Sequence, residues 1–148
     1  MKHSLSRLIS ILYRKNQAYL NDVMMSQNLT STETMVLMFL YKHQQVTQED
    51  IVHYLQLDKA SITRTIQSLI KKGYVVKKKD LHDKRCNNIF LSEKGMQLET
   101  LIVNKLEWWN ELLLQDFTEE EQQFLYGSLL SLVEKIEKRE GQTYEGTN

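Results

Sequence analysis

The stretch from Asp58 to Gly95 constrains this chain most, because it holds an ordered series of helix and strand signals. Asp58 is a good helix N-cap: its carboxylate can accept from the free amides of a first turn and suits the positive end of the dipole. Ile62, Ile66, Leu69 and Ile70 then recur at the spacing of one buried helical face. The opposite face carries Lys59, Ala60, Thr63, Arg64, Gln67 and Lys71. Lys71 and Lys72 fill the last turn, and Gly73 can take the left-handed conformation that ends a helix. Tyr74-Val75-Val76 reads as a strand, residues 77–85 as a charged excursion and Ile89-Phe90-Leu91 as the return strand. Ser92 caps a new helix.

Helix, stop, strand, loop and strand in this order make a winged helix-turn-helix, with the helix placed to read a major groove and the basic loop as its wing. Residues 58–94 hold ten Lys and Arg against four Asp and Glu, a net of +6. The whole chain is neutral, so the remainder carries −6. One concentrated basic segment in a neutral chain is the electrostatic footprint of a polyanion partner. Lys77-Lys78-Lys79 alone equally describes a solvated loop; its place directly after a capped helix with a polar outer face points to double-stranded DNA.

The rest of the chain is helical in pattern. Residues 4–25 form a first helix on the stripe Leu5, Leu8, Ile9, Leu12, Tyr19, Leu20 and Val23, long enough to require something to bury against. Residues 28–32 break the chain with capping residues, and the helix over 33–43, apolar nearly all round, is expected at the centre of the core. Thr47 caps a third helix with Asp50 at the capping-box position, an imperfect box because Asp is shorter than Glu. Gln56-Leu57 turns into the helix from Asp58, so residues 47–72 make a helix-turn-helix. After Ser92 a single helix is expected over 93–115. Thr118 and Glu121 then box the start of a last helix ending near Glu140, and Gly141 to Asn148 form a polar tail, expected to be mobile.

The fold class is thus mainly α with a small β-hairpin wing, in one domain of 148 residues. The absence of proline favours long uninterrupted helices. No apolar run approaches the roughly 18–20 residues of a membrane span, and the N-terminus lacks a secretory pattern. The single cysteine, Cys86, cannot form an internal disulfide. A cytoplasmic protein with no membrane partner is expected.

These residues carry a resemblance. Asp58-Lys59-Ala60-Ser61-Ile62-Thr63-Arg64, Leu69, Lys72-Gly73-Tyr74-Val75, Asp83-Lys84-Arg85 and Leu91-Ser92-Glu93-Lys94-Gly95 resemble, in order and spacing, the signature of the MarR family of bacterial transcription regulators. Leu29-Thr30 matches as well. The resemblance implies a ligand-responsive repressor acting as a homodimer on a palindromic operator. Residues 4–27 and 93–140 would supply the dimerisation helices around a winged module over 29–92. It also implies roles. Lys59, Ala60, Ser61, Thr63, Arg64 and Gln67 would face the major groove, where Arg offers guanine a bidentate fork. Lys84 and Arg85 would serve the wing, with Arg85 in the minor groove and Asp83 orienting it. Thr47 and Gln48 would contact phosphate at a helix N-terminus. Family members tend to be apolar just after this arginine, whereas this chain has Cys86-Asn87-Asn88, which leaves the wing's length open.

Many members bind a small aromatic or lipophilic ligand, and Tyr13, Tyr19, Met24, Trp108 and Trp109 are the candidate pocket residues; aromatic residues at helical spacing equally describe core. Cys86 beside Lys84 and Arg85 would have its thiol pKa lowered, which keeps open a redox-responsive regulator acting through the wing, against a passive residue. His3, His43, His53 and His82 are scattered, so no metal is expected, and no cofactor. Glycines at 73, 95, 127, 141 and 146 make no phosphate loop, and the lone cysteine has no evident base, so an enzyme is not expected. A winged-helix module that binds only protein is the remaining rival.

Overall fold

The computed structural model describes residues 3–140; the tail expected to be mobile lies outside the described residues. The element order is α1 (Leu5–Met24), a 3-10 turn (Met25–Gln27), α2 (Ser31–Lys42), β1 (Val46–Thr47), α3 (Gln48–Leu55), α4 (Lys59–Lys71), β2 (Val75–Lys79), β3 (Asn87–Leu91), α5 (Glu93–Gln97), α6 (Glu99–Leu114) and α7 (Glu119–Glu140). The chain divides into two units, one running to Leu106 and the other beginning at Glu107.

Caps set most helix starts. The Thr30 hydroxyl accepts from the Glu33 amide, and the Glu33 carboxylate accepts from the Thr30 amide, so α2 opens on a complete capping box. Thr47 and Asp50 form the same reciprocal pair at α3, so the shorter Asp side chain is long enough there. Asp58 caps α4 and Ser92 caps α5. At the other end of α4, Gly73 takes φ +83°, a conformation that costs a Cβ-bearing residue.

The core of the first unit forms around α2. Val36 and Leu37 are fully buried and pack with Met24, Ile51, Ile62, Ile66, Leu69, Val75, Ile89 and Ile102. Four of these, Ile62, Ile66, Leu69 and Val75, come from α4 and β2, which fixes the wing's base to the same core as the helix-turn-helix.

The sheet has three antiparallel strands in the order β1-β3-β2. This differs from the sequence expectation in three ways. The lysines at 77–79 belong to β2, pairing with Ile89, Asn88 and Asn87. As an edge strand β2 tolerates a solvated lysine row, which also discourages pairing with another chain. The return strand begins at Asn87, so the hairpin is longer and its loop shorter than the charge pattern suggested. Val46 and Thr47 add the third strand by pairing with Ile89 and Asn88.

The single helix expected over 93–115 is interrupted at Leu98. The Gly95 carbonyl there accepts from the Tyr41 hydroxyl at 2.7 Å and from the Leu98 amide at 3.3 Å, a three-residue closure that tightens the turn. Gly95 also packs so closely on β2's entry that an added Cβ would lie 2.2 Å from the Tyr74 carbonyl oxygen. In the second unit, Thr118 caps α7 by accepting from the Glu121 amide, and Gln122 donates to the carbonyls of Leu114 and Phe117.

Candidate nucleic-acid interface

α4, the helix expected to read DNA, is placed by the turn before it. Gln56 ends α3 in the left-handed region, φ 55°, with its amide donating to the Val52 carbonyl. Asp58 then starts α4: one carboxylate oxygen accepts from the Ser61 amide and the other from the Ser61 hydroxyl, both at 2.7 Å. The Ser61 oxygen in turn accepts from Arg64 Nη2 at 3.2 Å. The hydroxyl bond and then the amide bond from Ser61, with a smaller contribution from the Arg64 charge, hold the Asp58 carboxyl below its ordinary range.

Two of the expected DNA-facing side chains contact each other. Gln48 Nε2 donates to Thr63 Oγ1 at 2.5 Å, and the Thr63 hydroxyl donates to the Lys59 carbonyl at 2.8 Å. Together they fasten α3 to α4. The Ser61 hydroxyl is likewise engaged as a donor to Asp58. Thr47 uses its hydroxyl oxygen and its amide for the α3 cap. Lys59, Ala60, Arg64 and Gln67 lie exposed along the outer face of α4.

The wing is organised by two aspartates. Asp80 accepts from the His82 amide at 2.7 Å, the Asp83 amide at 3.2 Å and Asn88 Nδ2 at 3.1 Å. The His82 amide, then the Asn88 side chain and the Asp83 amide, hold its carboxyl below the ordinary range. The loop closes through the Asp80 amide on the Cys86 carbonyl, 3.0 Å. At the tip, Asp83 Oδ1 accepts from the Arg85 backbone amide at 3.0 Å and from Arg85 Nε at 3.3 Å. The Arg85 side chain is 92% exposed, and Lys84 is exposed beside it.

Cys86 corrects an expectation. Its thiol is pushed up, not down, chiefly by the charge of Asp83, then by burial and by its hydrogen bond to Asp83 Oδ2 at 3.8 Å. The neighbouring carboxylate outweighs Lys84 and Arg85. A raised thiol is a poor nucleophile, so the environment disfavours a redox switch there.

The candidate pocket residues are divided. Met24 has 0% exposure and belongs to the core of the first unit. Tyr19 donates its hydroxyl to the Lys105 carbonyl at 2.7 Å. Tyr13 is exposed on α1, while in the second unit Trp108 is exposed and Trp109 half-buried. Among the described residues no helix is long and apolar enough to cross a membrane.

Sequence reasoning took Asp58 only as a cap and missed Asp80 and Asn88 as wing organisers. The signal for Asp80 was available: an aspartate two and three residues ahead of the amides it binds is an Asx-turn pattern.

A helix-turn-helix whose second helix is capped at Asp58, followed by a wing with a projecting arginine, defines a winged-helix protein of the DNA-binding class. A sequence profile of the MarR family matches residues 27–85. A MarR transcriptional regulator from Methanosarcina mazei Go1 is 32% identical, with 90% of this chain and 96% of that one covered and a TM-score of 0.82. A MarR family regulator from Listeria monocytogenes, solved in complex with 26-mer DNA, is 30% identical over 100% of this chain and 98% of that one, with a TM-score of 0.89. An uncharacterized HTH-type transcriptional regulator of Bacillus subtilis, YybA, is 25% identical over 132 residues, 89% of this chain and 88% of that protein. The chain belongs to the MarR family of transcriptional regulators.

Proposed function

We propose that this regulator is a homodimeric, ligand-responsive repressor that reads a palindromic double-stranded DNA site. The observation that carries the DNA-reading geometry is the pairing of two projecting basic elements within one unit: the outer face of α4 and the wing arginine. Arg64 and Lys59 on α4 reach base edges and phosphates in the major groove, Gln67 offers an amide to adenine, and Ala60 meets a thymine methyl. Arg85, held at its Nε by Asp83, keeps its terminal guanidinium nitrogens for a narrow minor groove, where negative potential is highest. Lys84 contacts phosphate, as do Thr47 and Gln48 through whatever hydrogen-bonding capacity their internal contacts leave. The Listeria monocytogenes relative solved in complex with 26-mer DNA supports DNA binding as the activity.

Dimerisation is supported by apolar faces without cover in the single chain. Leu5, Leu8, Ile9 and Leu12 of α1 are exposed, as are Phe124, Leu129, Val133 and Ile136 of α7. Large apolar residues repeated along one helix face are seldom left open to water on a monomeric soluble protein. Two copies related by a two-fold axis would present two reading modules, which is why the operator is palindromic. The ligand is a small aromatic or lipophilic molecule, and the exposed ring of Tyr13 on α1 is its candidate contact in the first unit.

Selection of bound duplexes from a random pool tests DNA reading and symmetry together. A palindromic consensus with two half-sites is the expected result. A salt titration then separates phosphate binding from a protein-only module, because each neutralised phosphate releases counterion and steepens the salt dependence. Recovery of no preferred duplex sinks the proposal.

A further inference from the structure

Glu33 brings a carboxylate into the interior of the first unit, where it is 4% exposed. The α2 capping box needs only its bond from the Thr30 amide, 3.2 Å to Oε2. The remaining capacity of the carboxylate goes to the far end of the reading helix. Ser68 Oγ donates to Oε1 at 2.7 Å, and Lys72 Nζ lies 3.0 Å from Oε1 and 2.8 Å from Oε2. Ser68 is in the last turn of α4, and Lys72 is its C-cap. The same end of α2 is fastened on its other side to α1. The Ser31 amide donates to Asn21 Oδ1 at 2.8 Å, and the Ser31 hydroxyl donates to Gln17 Oε1.

The apolar face of α4 cannot fix its setting alone. Burial of Ile62, Ile66 and Leu69 is favourable in many nearby orientations, since the hydrophobic effect has no direction. The three hydrogen bonds that Ser68 and Lys72 bring to one buried carboxylate do have direction, and they are made together in only a narrow range of helix rotation and tilt. A buried ionic group of this kind can serve conformational specificity more than stability, the setting of α4 being the quantity specified here.

We infer that Glu33 is a positioning residue for DNA reading: through Ser68 and Lys72 it fixes the rotation and tilt of α4 on a platform made by the N-terminus of α2 and α1. This rests on α4 being the reading helix, as proposed above. Glu33 itself touches no DNA. Lys72, bound by the carboxylate, is withdrawn from phosphate contact and serves the same clamp.

The test compares the full-length parent with Glu33→Gln and Ser68→Ala, by fluorescence anisotropy at one salt concentration. Each protein is titrated with the duplex selected by the parent and with a scrambled duplex of equal length. Glu33→Gln removes the negative charge that pairs with Lys72 of the basic segment 58–94. Electrostatics alone therefore tightens binding to both duplexes. Loosened positioning does the opposite for the selected duplex only, by about 10-fold, the scale of one lost base contact, while binding to the scrambled duplex is unchanged or tighter. Ser68→Ala alters no charge and removes a single bond to Oε1, so it should lower the preference for the selected duplex several-fold, about half the logarithmic effect of Glu33→Gln. It also carries the test if Glu33→Gln does not fold. An unchanged ratio of the two affinities in the folded variants overturns the inference. An equal fold-loss on both duplexes is the same outcome, because the ratio does not move. If the parent itself prefers no duplex, the proposed DNA-reading function falls, and the positioning role falls with it.

Discussion

Asp83 receives two N–H groups from Arg85 on one oxygen, the backbone amide at 3.0 Å and Nε at 3.3 Å. One contact shapes the turn and the other aims the side chain. The pair is exposed, so its net contribution to folding is small, as for most surface ion pairs. Arg85→Ala should leave the helical circular dichroism unchanged and weaken operator binding by about 1–3 kcal/mol per subunit, the scale of one good base-edge contact. The loss should be larger on operators with A·T-rich flanks, where the minor groove is narrow. Arg85→Lys should rescue only in part, because an ammonium is more strongly hydrated and lacks the fork. Lys84→Ala is the comparison: it should lower affinity about equally on all sequences. Parent-like operator affinity in Arg85→Ala at physiological salt would show that the wing does not read DNA.

The two carboxylates that organise the interface share a pH dependence. Asp58 and Asp80 both titrate below their ordinary 3.8 in the folded chain, through the bonds from Ser61 and from His82, Asn88 and Asp83 respectively. A depressed folded value means that the stabilisation is fully present well above 3.8 and is lost as pH falls from there through the folded value. Asp58→Asn keeps an oxygen for the Ser61 amide but removes the titration. Urea unfolding should therefore show the parent more stable than Asp58→Asn at pH 7, with the difference shrinking below pH 3.8. A difference that stays constant down to pH 2 would show that the charge on Asp58 does not contribute.

Cys86 gives a chemical test of the wing geometry. With Asp83 raising it, the thiol should alkylate with a pH midpoint above its ordinary 9.0. Asp83→Asn removes the largest cause and should bring that midpoint down, measured from iodoacetamide rates against pH. Cys86→Ser should bind the operator like the parent. A midpoint near neutrality in the parent would restore the redox reading.

What the sequence disclosed was local. The caps at Thr30, Thr47, Asp58, Ser92 and Thr118 are legible because a cap and its amide lie within three residues. The stop at Gly73 is equally local. The wing's two long strands were only half legible, because charge marks Lys77 to Lys79 as loop whereas their pairing with Asn87 to Ile89 is decided across the hairpin. The Val46–Ile89 pairing, the Tyr41–Gly95 bond that breaks the fifth helix, and the cluster of Glu33, Ser68 and Lys72 join residues more than 30 apart. No spacing rule reaches them. Ser61 and Thr63 show a different limit: a hydroxyl on an outer helical face looks available, yet both donate within α4 or to its cap, the usual competition of Ser and Thr for nearby backbone and capping groups.

The apolar faces on α1 and α7 lead to the last prediction. Deleting residues 1–25 would be a poor test of the dimer, because it also removes Leu20 and Met24, which are buried within the first unit. Leu8 and Leu12 are better probes: Leu12 is 61% exposed in the single chain, so neither position contributes much to the core of one subunit. A charge there costs little unless another chain covers it, and then it costs the desolvation of an unpaired carboxylate. Leu8→Glu/Leu12→Glu should therefore sediment nearer the chain mass of 17.6 kDa, while the parent sediments at twice that. Operator affinity should fall steeply, since a monomer engages one half-site. Binding to an isolated half-site should fall far less, because α4 and the wing are built within one subunit. A parent that sediments as a monomer, or a double variant that stays dimeric with full operator affinity, would show that these faces are not the interface.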